Sequence, residues 1–309
     1  MTIRGLAVCF SILAFGSYAG PQALPATDGP ESYRISVDVR LVALQAAVHD
    51  RQGRYVSGLS EREFEVYEDG VRQTIRLFRH EDVPVTVGLV VDHSGSMRAK
   101  LTEVIAATRT FVKFSNPEDQ MFVVNFNEKV SLGLPASIRY TGEVAQLETA
   151  IWSSPAAGMT ALYDATVTGL QRVREGKRER KALVVISDGG DNASKATLDQ
   201  VLKLAEQSSV MIYSIGIFDE DDPDRNTKAL TRLARTTGGE AFFPDHLNQV
   251  VEICESIAQD IRNQYTIGYV PTNAERTNTY RTIRVVARSK DHGKLSVRTR
   301  SGYIAADSK

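Results

Sequence analysis

The chain has 309 residues, of which 42% are hydrophobic and 24% are charged. This length is sufficient for one large α/β domain with a smaller companion, and the composition excludes a chain that is disordered throughout. The formal net charge of −1 provides no electrostatic footprint for nucleic acid, which requires a basic face. The sequence therefore predicts a folded protein with no nucleic-acid partner.

The N-terminus has the pattern of a secretory signal peptide. Arg4 supplies a positive charge, residues 6–15 are apolar, and Ser17 and Ala19 are small residues at the positions that a cleavage site requires. We predict a signal peptide at 1–19, export to the periplasm or the extracellular space, and no membrane span after cleavage. An uncleaved N-terminal membrane anchor is the alternative, although the uncharged run is short for a span.

Four segments follow the signal peptide, and they differ in their hydrophobic pattern. Residues 20–32 contain proline and glycine without an apolar period, which predicts a linker. Residues 33–83 carry strand patterns and a hairpin signal at Asp69-Gly70. Residues 84–263 alternate apolar strands with helices, and residues 264–306 return to antiparallel strand patterns.

The alternation in residues 84–263 predicts an α/β fold with a doubly wound, mostly parallel sheet. Strands are predicted at 85–91, 121–126, 129–134, 182–186, 210–217 and 240–243, and helices at 97–114, 142–152, 161–174, 197–207, 226–235 and 247–261. Each flanking segment is too short to bury a core alone. We therefore expect 33–83 and 264–306 to pair into a smaller antiparallel β domain.

Two charged runs connect some of these predicted elements. Residues 218–224 are acidic and follow a parallel strand, and residues 172–181 are basic and connect a helix to a strand. We predict a solvated loop for the first run and a solvated face for the second.

Polar residues follow the first apolar strand of the α/β region. Asp92, Ser94 and Ser96 lie between this strand and the next predicted helix, where ligands bind in open parallel sheets. One carboxylate and two hydroxyls are hard oxygen donors, which suit Mg²⁺, Mn²⁺ or Ca²⁺. In the alternative interpretation, Ser94 or Ser96 only caps the helix.

Two more segments favour a binding site at the same edge of the sheet. Thr160 places a hydroxyl at the start of a predicted helix, and Asp188 places a carboxylate after another apolar strand. Because loops at the carboxyl edge of a parallel sheet gather together, we expect these side chains to approach Asp92.

Together, Asp92-His-Ser94-Gly-Ser96, Thr160 in GMTALYDA and Asp188 in ISDGGDN resemble the metal-ion-dependent adhesion site of von Willebrand factor type A (VWA) domains. The resemblance covers roughly residues 84–262 and implies a Rossmann-like fold. It also implies five metal ligands, which are Asp92, Ser94, Ser96, Thr160 and Asp188. It assigns no ligand role to His93, and it implies that Asp191 contacts the ligands and not the metal.

The flanking sequences LSEREFEVYEDGVRQTI, YTIGYVP and RTRSGYIA resemble bacterial exported VWFA-related proteins of the acidobacterial type. In the VWA family, an Asp or Glu of a partner protein often completes the coordination of the metal. The resemblance therefore implies an adhesion or scaffolding module that depends on Mg²⁺, with Mn²⁺ or Ca²⁺ as alternatives. Its oligomeric state is not predicted.

An enzyme is the less favoured interpretation. Asp92, His93 and Ser94 are adjacent in sequence and cannot form a relayed catalytic triad. The sequence contains no Gly-x-Ser-x-Gly elbow, Walker loop or Gly-x-Gly-x-x-Gly fingerprint. A metal-dependent hydrolase at the same site and a structural VWA domain of an envelope complex remain as alternatives. Near the site, Met159 is expected to rim the binding surface, while Trp152 and Tyr163 either rim it or pack in the core.

Overall fold

The computed structural model describes residues 41–218, 225–273 and 279–305, and all of them belong to one compact unit. The predicted signal peptide at 1–19, the predicted linker at 20–32 and most of the acidic run at 218–224 lie outside these residues. Among the described residues, no helix is both long enough and apolar enough to span a membrane.

The secondary structure alternates in the middle of the chain and is all-β at both ends. The strands are β1 (Val42–His49), β2 (Phe64–Glu68), β3 (Val71–Gln73), β4 (Ile75–Arg79), β5 (Val85–Asp92), β6 (Gln120–Phe126), β7 (Val130–Leu132), β8 (Arg180–Ser187), β9 (Val210–Gly216), β10 (Ala241–Phe242), β11 (Tyr265–Tyr269), β12 (Tyr280–Ser289), β13 (Gly293–Lys294), β14 (Ser296–Arg298) and β15 (Gly302–Ile304). The helices are α1 (Leu101–Phe114), α2 (Val144–Trp152), α3 (Leu162–Arg174), α4 (Leu198–Gln207), α5 (Thr227–Thr237) and α6 (Gln249–Arg262).

The central sheet has the strand order β10-β9-β8-β5-β6-β7. Every strand in it is parallel to its neighbours except β7, which pairs antiparallel to β6 at one edge. Every residue of β5 is buried, which is why this strand reads as a continuous apolar run instead of an alternating one. The chain thus has the predicted α/β fold with a doubly wound, mostly parallel sheet.

The strands before and after the α/β region pair with one another. β1 pairs antiparallel with β11 and β14, and β2 pairs antiparallel with β12. The resulting sheets, β14-β1-β11-β4 and β13-β12-β2-β3, share a second core that includes Leu44, Val66 and Ile267. Asp69 and Gly70 both have positive φ, of 48° and 80°, as a tight hairpin turn between β2 and β3 requires.

A buried ion pair joins α6 to these antiparallel strands. Asp260 of α6 accepts hydrogen bonds from Arg298 Nη2 at 2.9 Å and from Tyr213 Oη at 2.6 Å. Burial raises the pKa of Asp260, and the charge of Arg298 opposes that rise. A buried carboxylate that loses its cationic partner is strongly destabilising, so Arg298 is needed to keep the end of α6 in place.

Two local predictions are wrong. The helix expected from Met97 begins at Leu101, because residues 95–97 form a separate 3₁₀ turn whose Gly95 N–H bonds to Gly158 O at 3.2 Å. The basic run at 172–181 is not wholly solvated, since Arg180 is buried and donates to Gln264 O and Thr266 Oγ1, both at 3.1 Å. The chain that follows α6 therefore contacts this side chain at the start of β8.

The domain boundaries at 33–83, 84–263 and 264–306 remain a prediction that fragments can test. We expect residues 84–263 to fold alone with lowered stability, because Asp260 loses Arg298, and we expect residues 31–83 to stay unfolded without β11, β12 and β14. Thermal unfolding monitored by circular dichroism measures both. Replacement of Asp260 by Asn should raise the melting temperature of the 84–263 fragment. A cooperative transition in the 31–83 fragment would contradict the expected pairing.

Candidate metal centre

Two carboxylates meet at the carboxyl edge of the central sheet. β5 and β8 are adjacent and parallel with Val91 opposite Ile186, so Asp92 and Asp188 emerge from neighbouring strand ends. Both side chains are buried. Ser187 Oγ lies between the two strands and donates to Asp92 Oδ2 at 2.6 Å. The strand pairing alone therefore makes Asp92 and Asp188 neighbours at the edge of the sheet.

The loop after β5 adds two hydroxyls to this pair. Ser94 N–H donates to Asp92 Oδ1 at 2.7 Å, which folds the loop back over the carboxylate. Ser94 Oγ and Ser96 Oγ are 3.1 Å apart, and Ser96 Oγ also donates to Asp188 Oδ2. The two serines thus connect the carboxylates, through the Ser94 N–H at Asp92 and the Ser96 hydroxyl at Asp188.

The alternative in which these serines cap a helix is not supported. Ser94 precedes the 3₁₀ turn at 95–97, but its side chain makes no capping hydrogen bond. Helix α1 begins after Lys100, beyond both serines, and has no side-chain cap. The hydroxyls are engaged with each other and with Asp188 instead of with a helix end.

Thr160 lies on the loop between α2 and α3, and hydrogen bonds tie this loop to the other two. Thr160 N–H donates to Asn192 Oδ1 at 2.8 Å, and Asn192 N–H donates back to Thr160 O at 3.0 Å. On the other side, Gly95 N–H donates to Gly158 O, and Gly158 has a φ of 88° that favours glycine. The structure therefore brings the loops of all five predicted residues together.

Sequence reasoning missed Ser187 and Asn192, which position Asp92 and Thr160. Both lie in the same ISDGGDN segment as Asp188, and that polar run after an apolar strand was the available signal. Asp191 accepts from Tyr163 N–H at 2.9 Å and from Ser194 Oγ at 2.6 Å, so it anchors the start of α3.

The nearby histidine and aromatic residues have distinct environments. His93 is fully buried, with Nε2 at 3.2 Å from Asn125 Oδ1. Trp152 and Met159 are 58% and 53% exposed, which excludes core packing for Trp152, whereas Tyr163 packs partly buried against the main core. Trp152 and Met159 therefore present apolar surface at the two ends of the α2–α3 loop.

The electrostatics of the site disfavour two full negative charges. Burial, followed by the charge of Asp188, raises the pKa of Asp92 from 3.8 to about 7, and hydrogen bonds from Ser187 and Ser94 oppose the rise. Within the described part of the chain, no group of three or more His, Cys, Asp or Glu side chains could hold a metal ion. A cation here would therefore depend on the hydroxyl oxygens as much as on the two carboxylates, and this donor set is one that hard cations prefer.

Comparisons with known proteins show which family and which solved structures this chain is similar to. The family model described as the von Willebrand factor type A domain matches residues 86–256. An uncharacterized protein of Synechocystis is 23% identical over 185 residues, which are 59% of this chain and 42% of that relative, so the match spans less than half of the relative's length.

Two solved structures share the fold at low sequence identity. A von Willebrand factor type A protein from Catenulispora acidiphila has a TM-score of 0.51 and 13% identity, over 85% of this chain and 74% of that one. Proximal thread matrix protein 1 from the mussel byssus has a zinc-occupied metal-ion-dependent adhesion site (MIDAS) motif. Its TM-score is 0.51 and its identity 16%, over 63% of this chain and 49% of that one.

The raised pKa of Asp92 predicts a pH dependence of stability in the metal-free protein. The unfolded state ionises near 3.8 and the folded state near 7, so the free energy of unfolding should fall as pH rises between these values and level off above. Asp92→Asn removes the titrating group, so the total fall in the free energy of unfolding across this pH range should shrink by about a few kcal/mol at most. Urea unfolding in EDTA from pH 4 to pH 8 measures the difference. Parallel curves for the two proteins would contradict the assignment.

Proposed function

Because the chain belongs to the von Willebrand factor type A domain family, we propose that it is an exported module that binds a partner protein through one divalent metal ion. The proposed ligands are Asp92, Ser94, Ser96, Thr160 and Asp188. Mg²⁺ is the proposed metal, with Mn²⁺ and Ca²⁺ as alternatives. The proposed partner presents an Asp or Glu side chain.

The observation that carries this proposal is the pair of buried carboxylates, Asp92 and Asp188, connected through serine hydroxyls. Two like charges in a buried site destabilise each other, and an ion between them relieves both their repulsion and their lost hydration. A divalent cation is the ligand that best suits this charge.

The donor atoms support Mg²⁺ over softer metals. All five proposed side chains offer oxygen, whereas zinc sites usually use sulfur or nitrogen ligands. The mussel byssus protein carries zinc in its MIDAS motif, which supports a divalent metal at the corresponding position of this chain.

The arrangement suits a binding role in which this chain holds the metal and a partner completes its coordination. Mg²⁺ prefers six oxygen ligands, and a carboxylate from outside suits a position that this chain leaves open. The exposed side chains of Met159 and Trp152 flank the loop that bears Thr160 and offer apolar contact area beside it. Aromatic residues and methionine are enriched at protein interfaces.

We also propose that the protein is not an enzyme. Metal-assisted hydrolysis needs a general base within hydrogen-bond reach of the attacking water. His93, the histidine next to the proposed ligands in sequence, is fully buried against Asn125 and so is not placed to act as that base. Export rests on the signal-peptide pattern at 1–19, and an uncleaved N-terminal anchor is the alternative.

Metal-dependent capture of the partner tests the proposed function. The chain from residue 20 onward serves as bait for an envelope or culture extract, in parallel with Mg²⁺ and with EDTA, and a captured protein is then titrated in purified form. We expect Asp92→Ala and Thr160→Ala to weaken its binding by at least about tenfold, because each removes a metal ligand. The measurement is the dissociation constant from calorimetry.

Matched substitutions control for the loss of a side chain. Asp199→Ala removes an exposed carboxylate of α4, and Thr149→Ala removes an exposed hydroxyl of α2 that donates to Ala145 O. Both variants should bind like the wild type. Equal affinity in Mg²⁺ and EDTA, or equal affinity of Asp92→Ala and Asp199→Ala, would refute the proposed function.

A further inference from the structure

Three arginines project from the outward face of the sheet β13-β12-β2-β3. The strand pairing places Tyr67 directly between Arg72 of β3 and Arg284 of β12. Arg288 lies four residues beyond Arg284 on the same strand and, because side chains alternate along a strand, on the same face. Arg72, Arg284 and Arg288 are called the arginine face below.

The arginine face carries more positive charge than its neighbours neutralise. Arg72 and Arg288 share one carboxylate, that of Glu65, at 3.6 and 3.5 Å. The Arg284 guanidinium lies 4.4 Å from the centre of the Tyr67 ring, and no carboxylate among the described residues forms an ion pair with it. Three guanidinium groups therefore face a single acid, which leaves two positive charges in excess.

Three exposed arginines elsewhere in the described residues each pair with a carboxylate of their own. Arg54 pairs with Asp50, Arg109 with Glu148 and Arg232 with Asp199. On the arginine face, by contrast, the side chains of Arg72 and Arg288 are 66% and 75% exposed, while that of the shared Glu65 is only 22% exposed. Arg72 and Arg288 thus share the Glu65 carboxylate while most of each side chain stays exposed to solvent.

We propose that the arginine face binds an acidic polysaccharide that carries carboxylate groups. The guanidinium group stays charged at any physiological pH, and its planar fork matches the geometry of a carboxylate. The arginines span roughly 10 Å across three strands and about 13 Å along β12, given ordinary strand spacing and rise. A chain with repeated carboxylates spans such a surface, whereas one small anion does not. This surface is separate from the proposed metal centre, and its binding does not depend on that centre.

The face favours a polysaccharide over a nucleic acid or a membrane. Single-stranded nucleic acids stack successive bases on free aromatic rings. Arg284 already covers the ring of Tyr67, and the exposed Tyr280 lies four residues from Arg284 along β12, outside the group of arginines. Proteins that lie on membranes insert exposed apolar side chains, but Val286, the aliphatic residue of this face, is partly buried. What remains at the surface is guanidinium charge in an extended arrangement.

The test measures binding of polygalacturonate, with neutral dextran as the uncharged comparison. The protein is the chain from residue 20 onward, and EDTA in the buffer removes any contribution of the metal centre. We expect binding that weakens with added NaCl, and no binding of dextran. The triple variant Arg72→Gln, Arg284→Gln, Arg288→Gln should bind about tenfold more weakly. It loses three exposed ion pairs between the arginines and the carboxylates of polygalacturonate, each of ordinary strength.

A second triple variant controls for the change in net charge. Arg54→Gln, Arg109→Gln and Arg232→Gln remove the same charge from exposed positions elsewhere, and this protein should bind like the wild type. Glu65→Gln removes the carboxylate that Arg72 and Arg288 share and should tighten binding, an effect that a purely structural role would not produce. If the first triple variant unfolds, Arg284→Gln alone replaces it, because this substitution breaks no ion pair within the protein. It should also weaken the binding of polygalacturonate.

Several results would overturn the proposal. These are no binding of polygalacturonate, an equal loss in both triple variants, or a loss on Asp92→Ala instead of on substitution of the arginine face. Tighter binding of a single-stranded oligonucleotide or of phosphatidylglycerol vesicles through the same arginines would also reject the polysaccharide as the partner.

Discussion

The carboxyl edge of the central sheet depends on one constraint, which is that two buried carboxylates must lie side by side. The parallel pairing of β5 with β8 brings Asp92 and Asp188 to neighbouring strand ends, away from water. Repulsion between them raises the pKa of Asp92 beyond what burial alone would do. The loop after β5 donates hydrogen bonds to both carboxylates, and the loop between α2 and α3 is bonded to that loop through Gly158. This arrangement is the basis for the proposed cation site.

The rest of the molecule keeps that edge in place. The loops after β5, α2 and β8 are tied together through Gly158 and Asn192, so that movement of one loop disturbs the other two. On the opposite side of the domain, the Asp260–Arg298 pair joins α6 to the antiparallel strands. α6 packs along α1, the helix that follows the proposed metal loop. A series of contacting elements therefore leads from the antiparallel strands through α6 and α1 to the loop that bears Ser94 and Ser96.

The sequence was sufficient for the fold class and for the gathering of the loops, because both follow from local patterns. A continuous apolar strand such as β5 indicates burial on both faces, and polar residues at its carboxyl end indicate the binding edge. Burial of Arg180 could not be foreseen, since it depends on where the chain returns after α6. The arginine face was also beyond sequence reasoning, because Arg72 and Arg284 become neighbours only through the register of three strands. The net charge of the whole chain does not indicate this local excess of positive charge.

The central claim is that Asp92, Ser94, Ser96, Thr160 and Asp188 together hold one divalent cation. Its most direct test is X-ray diffraction from crystals of the protein grown with Mn²⁺, with data collected at a wavelength where manganese scatters anomalously. We expect one strong anomalous peak among these five side chains, within coordination distance of the serine hydroxyls and at least one of the two carboxylates. An anomalous map with no peak at this position, or with its strongest peak elsewhere on the chain, would contradict the claim.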